Sequence, residues 1–252
     1  MNKHVIEILL LFAGLIGGFL NALVSSGSAI MLPFLIFLGI PPSIANATNR
    51  IPCLVGFISS TFNFHRAKLI DWKKVFILSI PLVLGTIIGG LFVFRLNDNT
   101  VKNILIVALF FSLILALTKY KKITVRENQK NKSINWLTFI IFSFIGIWAG
   151  IIVLDTATFI LFALSLHLGI DLLKSNAIKS AVCLIILIVS SLIFFVKGQI
   201  DWEAGFLLSI GSFWGGYLGS KLAISESSRI WIFRILMSVI LFEMMTLVYT
   251  RF

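Results

Sequence analysis

Residues 39–50 read GIPPSIANATNR, and residues 169–180 read GIDLLKSNAIKS. Each is a polar cluster set in sequence otherwise made mostly of Leu, Ile, Phe and Val. Pro41 and Pro42 cannot donate helical hydrogen bonds, so they end the segment before them and favour a new helix at about Ser43. That helix opens with Asn46, Thr48, Asn49 and Arg50, and its counterpart with Ser175, Asn176 and Lys179. Each cluster therefore carries one cation about two turns into a helix, accompanied by amides and hydroxyls.

The two stretches belong to a longer correspondence. Sliding the sequence by 130 residues lays Leu38-Gly39-Ile40 on Leu168-Gly169-Ile170, Asn46-Ala47 on Asn176-Ala177, and Cys53-Leu54 on Cys183-Leu184. Ile70-Asp71-Trp72 falls on Ile200-Asp201-Trp202, and Gly85 and Gly89 fall on Gly215 and Gly219. Chance matches are easy among apolar residues, but gap-free matches of Asp-Trp, Asn-Ala and spaced Gly are not. The cations do not superpose: Asn49 aligns with Lys179, and Arg50 with Ser180. The expected organisation is a first repeat at 1–119, a basic connector at 120–134 and a second repeat at 135–252.

Outward from the clusters, 59% of the 252 residues are hydrophobic and 12% are charged, and mean hydropathy is +1.06. A soluble domain carries about 25% charged residues. Long apolar runs recur from end to end, and six or eight of them are long enough to span a bilayer. The fold class expected is an all-α polytopic membrane protein with two homologous halves. It would have about 8 spanning helices, plus short broken or re-entrant segments in each half. The expected spans include 44–64, 100–118 and 229–250. If the short pieces at 28–40 and 156–168 cross, each half has five crossings and the halves are inverted; if they only dip, the halves run parallel.

The net charge of +11 is concentrated in short loops. His65, Arg66, Lys68, Lys73 and Lys74 form one group, and Lys119, Lys121, Lys122, Arg126, Lys130 and Lys132 another. Basic residues beside apolar spans orient a membrane protein, so loops 65–74 and 119–134 are expected on the cytoplasmic side of a bacterial inner membrane. Nucleic acid is not an expected partner; a lipid bilayer and a small anion are, and a homo-oligomer is left open. The apolar run at the N-terminus is longer than a signal core and reads as an uncleaved first helix. Cys53 and Cys183 lie in or beside apolar runs and suggest neither a disulfide framework nor a zinc site.

A polar break precedes each short apolar piece. Ser25, Ser26 and Ser28 interrupt the first; Asp155, Thr156 and Thr158 interrupt the second. Discontinuous helices of this kind build substrate sites in secondary transporters, because free helix N-termini and hydroxyls substitute for an anion's hydration shell. The candidate substrate contacts are these six residues with Asn46, Thr48, Asn49, Arg50, Asn176 and Lys179. For the cations the alternative is snorkelling to an interface. Asp155 is expected first as a helix N-cap, with pairing to Arg50 or Lys179 or proton carriage beside it. Asp71 and Asp201 are expected to start helices, and His65 and His167 to be structural. The four-residue glycine spacing at 85–89 and 211–219 suits close helix packing.

The stretch SSGSAIMLPFLIFLGIPPSIANATN, followed by a span, an IDW and glycine-spaced helix, resembles the TauE/SafE family of sulfite and organosulfur-anion exporters over nearly the whole chain. Ala45 to Thr48 keeps an A-x-x-T helix start that members carry. Ser25–Ser28 stands where they have a glycine-rich break, and Ile178 where the second half would have Thr. The resemblance implies outward transport of a small anion such as sulfite, a sulfonate or a related organic acid. No phosphate-loop motif or soluble domain is present, no facing pair of carboxylates or Ser–His cluster suggests catalysis, and no cofactor is called for. A passive anion channel and a membrane subunit of a larger complex are the alternatives.

Overall fold

The computed structural model describes residues 3–23, 25–104, 106–107 and 132–225. Residues 120–131 of the expected connector, most of the expected span 100–118 and all of the span 229–250 lie outside the described residues. Those described form helices and turns, with no strand among them. In chain order they are α1 (Lys3–Leu23), α2 (Ser28–Phe37), α3 (Pro42–Thr48), α4 (Arg50–Arg66), α5 (Trp72–Val93), α6 (Trp136–Ile151), α7 (Thr156–Phe162), α8 (Leu172–Val196) and α9 (Trp202–Ile224). A π turn at Ala163–His167 extends α7. Three described helices, α1, α5 and α8, are long and apolar enough to cross a membrane.

Local chemistry explains most helix starts. Asp71 and Asp201 accept hydrogen bonds from the main-chain N–H of Lys74 and Ala204, as N-caps should. Asn135 and Thr138 form a reciprocal capping box on α6. Pro42 occupies the first turn of α3, where its missing N–H costs nothing. One boundary departs from expectation. The span expected at 44–64 is divided at Asn49, because Pro52 has no N–H to return to the Thr48 carbonyl. Its counterpart, α8, has no proline and runs unbroken for 25 residues.

The side chains that face outward are apolar. On α5, Phe76, Ile80, Leu84 and Ile88 form an exposed stripe, and on α9 Phe206, Ile210, Trp214 and Leu218 repeat it. Such surfaces suit hydrocarbon and not water. The inward faces meet backbone to backbone. A Cβ on Gly215 would collide with the Leu15 carbonyl and Phe19 nitrogen, and one on Gly85 with the Ser143 carbonyl and Ile147 nitrogen. Here the spaced glycines are required by close approach.

These contacts also fix helix directions. Gly14 and Gly18 of α1 face Leu208 and Ser212 of α9, so the two run parallel. Pro52 and Asn63 of α4 bond to Ser212 and Ser220 of α9, again in rising order. α5 and α6 are parallel in the same way, Leu82 meeting Gly146 and Thr86 meeting Gly150. Arg50 at the start of α4 stacks on Phe194 near the end of α8, whereas Lys179 early in α8 lies over Phe57 farther along α4. α4 and α8 are therefore antiparallel. So α1, α4 and α9 point one way, and α5, α6 and α8 the other. Lys3 pairs with Glu203 at 3.1 Å, which sets the starts of α1 and α9 on one face. The 67–71 turn lies on the opposite face.

Candidate functional site

α1 ends at Leu23 and α6 at Ile151, and each end leaves main-chain carbonyls without intrahelical partners. For α6, the Trp148 carbonyl accepts from the Ile152 N–H at 2.8 Å. Arg50 supplies the next two carbonyls: Nη1 donates to Ala149 at 2.8 Å and Nη2 to Gly150 at 3.0 Å. Asn46 donates to the Ile151 carbonyl at 2.8 Å and accepts from the Val153 N–H at 3.3 Å. At α1 the pattern recurs. The Leu20 carbonyl accepts from the Ser25 N–H at 2.9 Å, Asn21 from Lys179 Nζ at 2.8 Å, and Ala22 from Asn176 at 2.8 Å. Each segment thus closes the broken helix of the other with one amide and one cation.

The physics favours a cation here. A helix C-terminus carries roughly half a negative charge, and a buried charge must be compensated by hydrogen bonds. Arg50 and Lys179 are both fully buried, so neither snorkels to an interface. Their hydrogen bonds run to these carbonyls and, for Lys179, also to Ser25 Oγ at 3.0 Å and to Asn176. Each such bond to a charged group contributes about 1.5–3 kcal/mol.

Past the helix ends the chain turns sharply. Ser25 has φ 72° and Asp155 φ 58°, both left-handed, a conformation that costs a residue with a side chain about 1–2 kcal/mol. The two breaks are tied together, since Thr158 Oγ1 donates to the Ser25 carbonyl at 3.1 Å. Asp155 occupies the N-cap position of α7 but makes no side-chain capping bond to it, which corrects the first role expected of it. Its left-handed backbone replaces the extended geometry that lets a capping side chain reach back.

Between the breaks lies a cavity of about 20 Å³, room for about one water. Ser25, Ser28, Asp155 and Thr156 reach it from the predicted set. Asn21, Cys53, Cys183 and Ser190 line it as well and were missed. The cysteines had a signal, because they are one of the few non-apolar matches of the 130-residue shift. Cys53 Sγ lies 3.3 Å from Ser28 Oγ and 3.5 Å from Asn21 Nδ2, so it belongs to a polar network. Asn21 in turn accepts from the Gly27 N–H at 2.9 Å, holding the first break in place.

The remaining candidates sit away from this cavity. Asn46 faces a second cavity, of about 330 Å³. Thr48 Oγ1 accepts from the Asp201 N–H at 3.0 Å and so steadies the start of α9. Asn49 accepts weakly from Cys53 Sγ, and its own Nδ2 is buried without an acceptor. Ser26, Thr158, Asn176 and Lys179 are buried behind the central lining. His65 and His167 are structural, His65 accepting from Trp72 Nε1 at 3.2 Å and His167 Nε2 lying 3.1 Å from Thr138 Oγ1.

Residues 10–247 match the family described as "Sulfite exporter TauE/SafE". A "Probable membrane transporter protein" of Haemophilus influenzae is 25% identical over 226 residues, covering 88% of this chain and 87% of its own. "Probable membrane transporter protein YfcA" of Escherichia coli is 24% identical over 228 residues, covering 88% and 82%. "Probable membrane transporter protein ORF9" of a Sinorhizobium species is 23% identical over 223 residues, covering 88% and 84%. No solved structure matches the chain.

Proposed function

The chain belongs to the TauE/SafE sulfite exporter family, and on that premise we propose that it is a multi-pass secondary transporter of a small anion, working outward across a bacterial inner membrane. Sulfite, a sulfonate or a related organic acid is the substrate class. The observation that carries this is the central cavity: two interrupted helices from two segments face each other there, each closed by the other segment's cation and amide. Substrate meets Ser25, Ser28, Thr156 and the helix starts beside them. The chain translocates its substrate and does not transform it.

The architecture we propose is two homologous halves of inverted orientation, in which each interrupted helix and the short piece after it go in and come back together, leaving each half with an odd number of crossings. Three features support it. The six left-handed positions among the described residues form three pairs 130 apart: Ser25 with Asp155, Gly39 with Gly169, and Lys68 with Gly198. The crossed packing of α1 on α9 repeats as α6 on α5, with equivalent contacts. Equivalent helices point in opposite directions, α1 against α6 and α4 against α8. The 65–74 loop and the start of α6, which follows the basic connector in sequence, then share one face, which the charge bias assigns to the cytoplasm.

A cavity with room for one water is closed to sulfite, so this geometry is an occluded form, and transport requires the halves to move apart. The test is flux of sulfite, sulfate, sulfoacetate, taurine and chloride into proteoliposomes, with Arg50→Gln and Lys179→Gln beside the wild type. Saturable flux of one anion, lost in both variants, is expected. Flux that rises linearly with voltage and concentration would identify a channel instead. Absence of flux for every anion would move the chain into a larger complex.

A further inference from the structure

A second cavity, of about 330 Å³, opens where α3, α5 and α8 end or begin, on the face away from the 67–71 turn. Ser43, Asn46, Asn97, Gln199 and the carboxylate of Asp98, which accepts from the Ser43 N–H at 3.3 Å, give it a polar wall, and Phe94 and Phe194 an aromatic one. Lys197 Nζ stands 5.5 Å from the Phe94 ring, which adds a cation at the rim. Amides, a hydroxyl, the Asp98 carboxylate and the cation at the rim give the space a mixed polar lining, and what ties it to the transported anion is its place on the way to the central cavity.

The order of residues along two helices shows how this vestibule relates to the central cavity. On α3 and α4, Asn46 faces the vestibule, Arg50 follows, and Cys53 and Phe57 face the centre. On α8, Cys183 and Ser190 face the centre and Phe194 the vestibule. Asn46 and Cys53 are about 10 Å apart along the helix axis. Arg50 comes between these two along the chain, and its guanidinium stacks 4.2 Å over the Phe194 ring, so the pair forms a partition between the two spaces.

The corresponding place at the other end is built differently. Phe64, which corresponds to Phe194 under the 130-residue shift, is fully buried in a cluster with Leu20, Leu23, Ala177 and Ala223. Ser43 and Gln199 of the vestibule have Leu173 and Leu69 as counterparts, and both leucines pack against that cluster. Polar wall at one end becomes apolar seal at the other.

We propose that the vestibule is an outer subsite for the transported anion, and that Phe194 on Arg50 is the door between it and the centre. Phe64 is the opposing door, sealed by leucines. This rests on the transport reading for the identity of the ligand, but the doors can be tested without any flux. The chain has two cysteines, and Cys183 lies on the inner side of the partition.

The experiment labels Cys183 in a Cys53→Ser background with a membrane-impermeant, sulfonate-bearing methanethiosulfonate, applied to one face of sealed vesicles at a time. Phe194→Ala is expected to speed labelling about tenfold from the face away from the 67–71 turn, equivalent to roughly 1.4 kcal/mol in barrier, and to leave the other face unchanged. Phe64→Ala is expected to do the reverse. Phe194→Leu, gentler on packing, carries the same expectation should the alanine variant fail to fold. Equal acceleration from both faces, or none from either, overturns the proposal. Side-specific labelling without flux of any anion overturns the transport reading and leaves the doors standing; flux without side-specific labelling does the opposite.

Discussion

The C-terminal ends of α6 and α1 are closed in the same way by different residues. Arg50 reaches Ala149 and Gly150 with the two prongs of its guanidinium and stacks on Phe194. Lys179 gathers the Asn21 carbonyl, Ser25 Oγ and Asn176 around one nitrogen. In the aligned sequence the two cations are one position apart, yet each finds the same helix end. What is kept between the segments is a geometric demand, a buried carbonyl end that needs donors. Which cation meets it, and from which position, is free to vary with the reach of the side chain.

The comparison breaks most completely at the glycines. Gly85→Leu and Gly215→Leu each drive a side chain into facing main chain, at Ser143 and Ile147 or at Leu15 and Phe19. Overpacking of this kind costs about 3 kcal/mol or more where backbone cannot yield. Both variants are expected to lose the monodisperse peak in detergent chromatography. If one of them keeps wild-type thermal stability, the two helix pairs are not equivalent.

A smaller effect is expected from exchanging the cations. Arg50→Lys retains charge but loses one of the two forked bonds and the planar stack, a cost of about 1.5–3 kcal/mol. Lys179→Arg keeps charge but forces a planar fork into a site shaped around one nitrogen, at similar cost. Melting followed by intrinsic fluorescence in detergent should show both variants lowered. An exchange tolerated at either site would mean that charge alone closes that helix.

These particulars show what the sequence could and could not tell. Asp71 and Asp201 were legible as helix starts because a cap and its N–H lie three residues apart. The breaks at Ser25 and Asp155 were legible because small polar residues interrupt apolar runs locally. The proline pair marked α3, and yet Pro52, in plain view, was overlooked as the cause of the division at Asn49. The partners of Arg50 and Lys179 were not legible: they lie 99 and 158 residues away and are main-chain carbonyls, which any residue could provide. The cations were singled out as ionisable groups among apolar residues, and both are fully buried in the protein, but their main-chain partners were not foreseen. The same limit hid Cys53 and Cys183 from the cavity, since a buried cysteine reads as core until its facing residues are known.

Pro52 is a difference between the segments that can be removed. Pro52→Ala restores an N–H that can bond the Thr48 carbonyl and makes α3 and α4 one helix, as α8 is. The added bond contributes about 1 kcal/mol, offset in part by the greater freedom of the unfolded chain. A small rise in melting temperature is expected, with slower flux in proteoliposomes if the bend at Asn49 moves during transport. A fall of more than a few degrees would mean that the Thr48 carbonyl already has a use that the bend protects.

The smallest expected effect lies at the two IDW turns. Asp71 and Asp201 cap α5 and α9 identically, but only Asp71 also has a lysine, Lys74, donating to its carboxylate from its side chain. That hydrogen bond, with the main-chain N–H groups behind it, holds the Asp71 carboxyl below its ordinary value. A carboxyl whose folded value is depressed stabilises the fold at pH above its unfolded value of about 4, and that contribution disappears as pH falls through the lower, folded value. Asp71→Asn keeps the cap acceptor and removes the charge. It should therefore shift the melting temperature by only about 1–2 °C at neutral pH, since an exposed pair is screened by solvent. Its distinguishing mark is the acid limb: below pH 4 the variant and the wild type should converge. If they remain apart there, the loss comes from the cap geometry, and the lysine at the first turn adds nothing that its counterpart lacks.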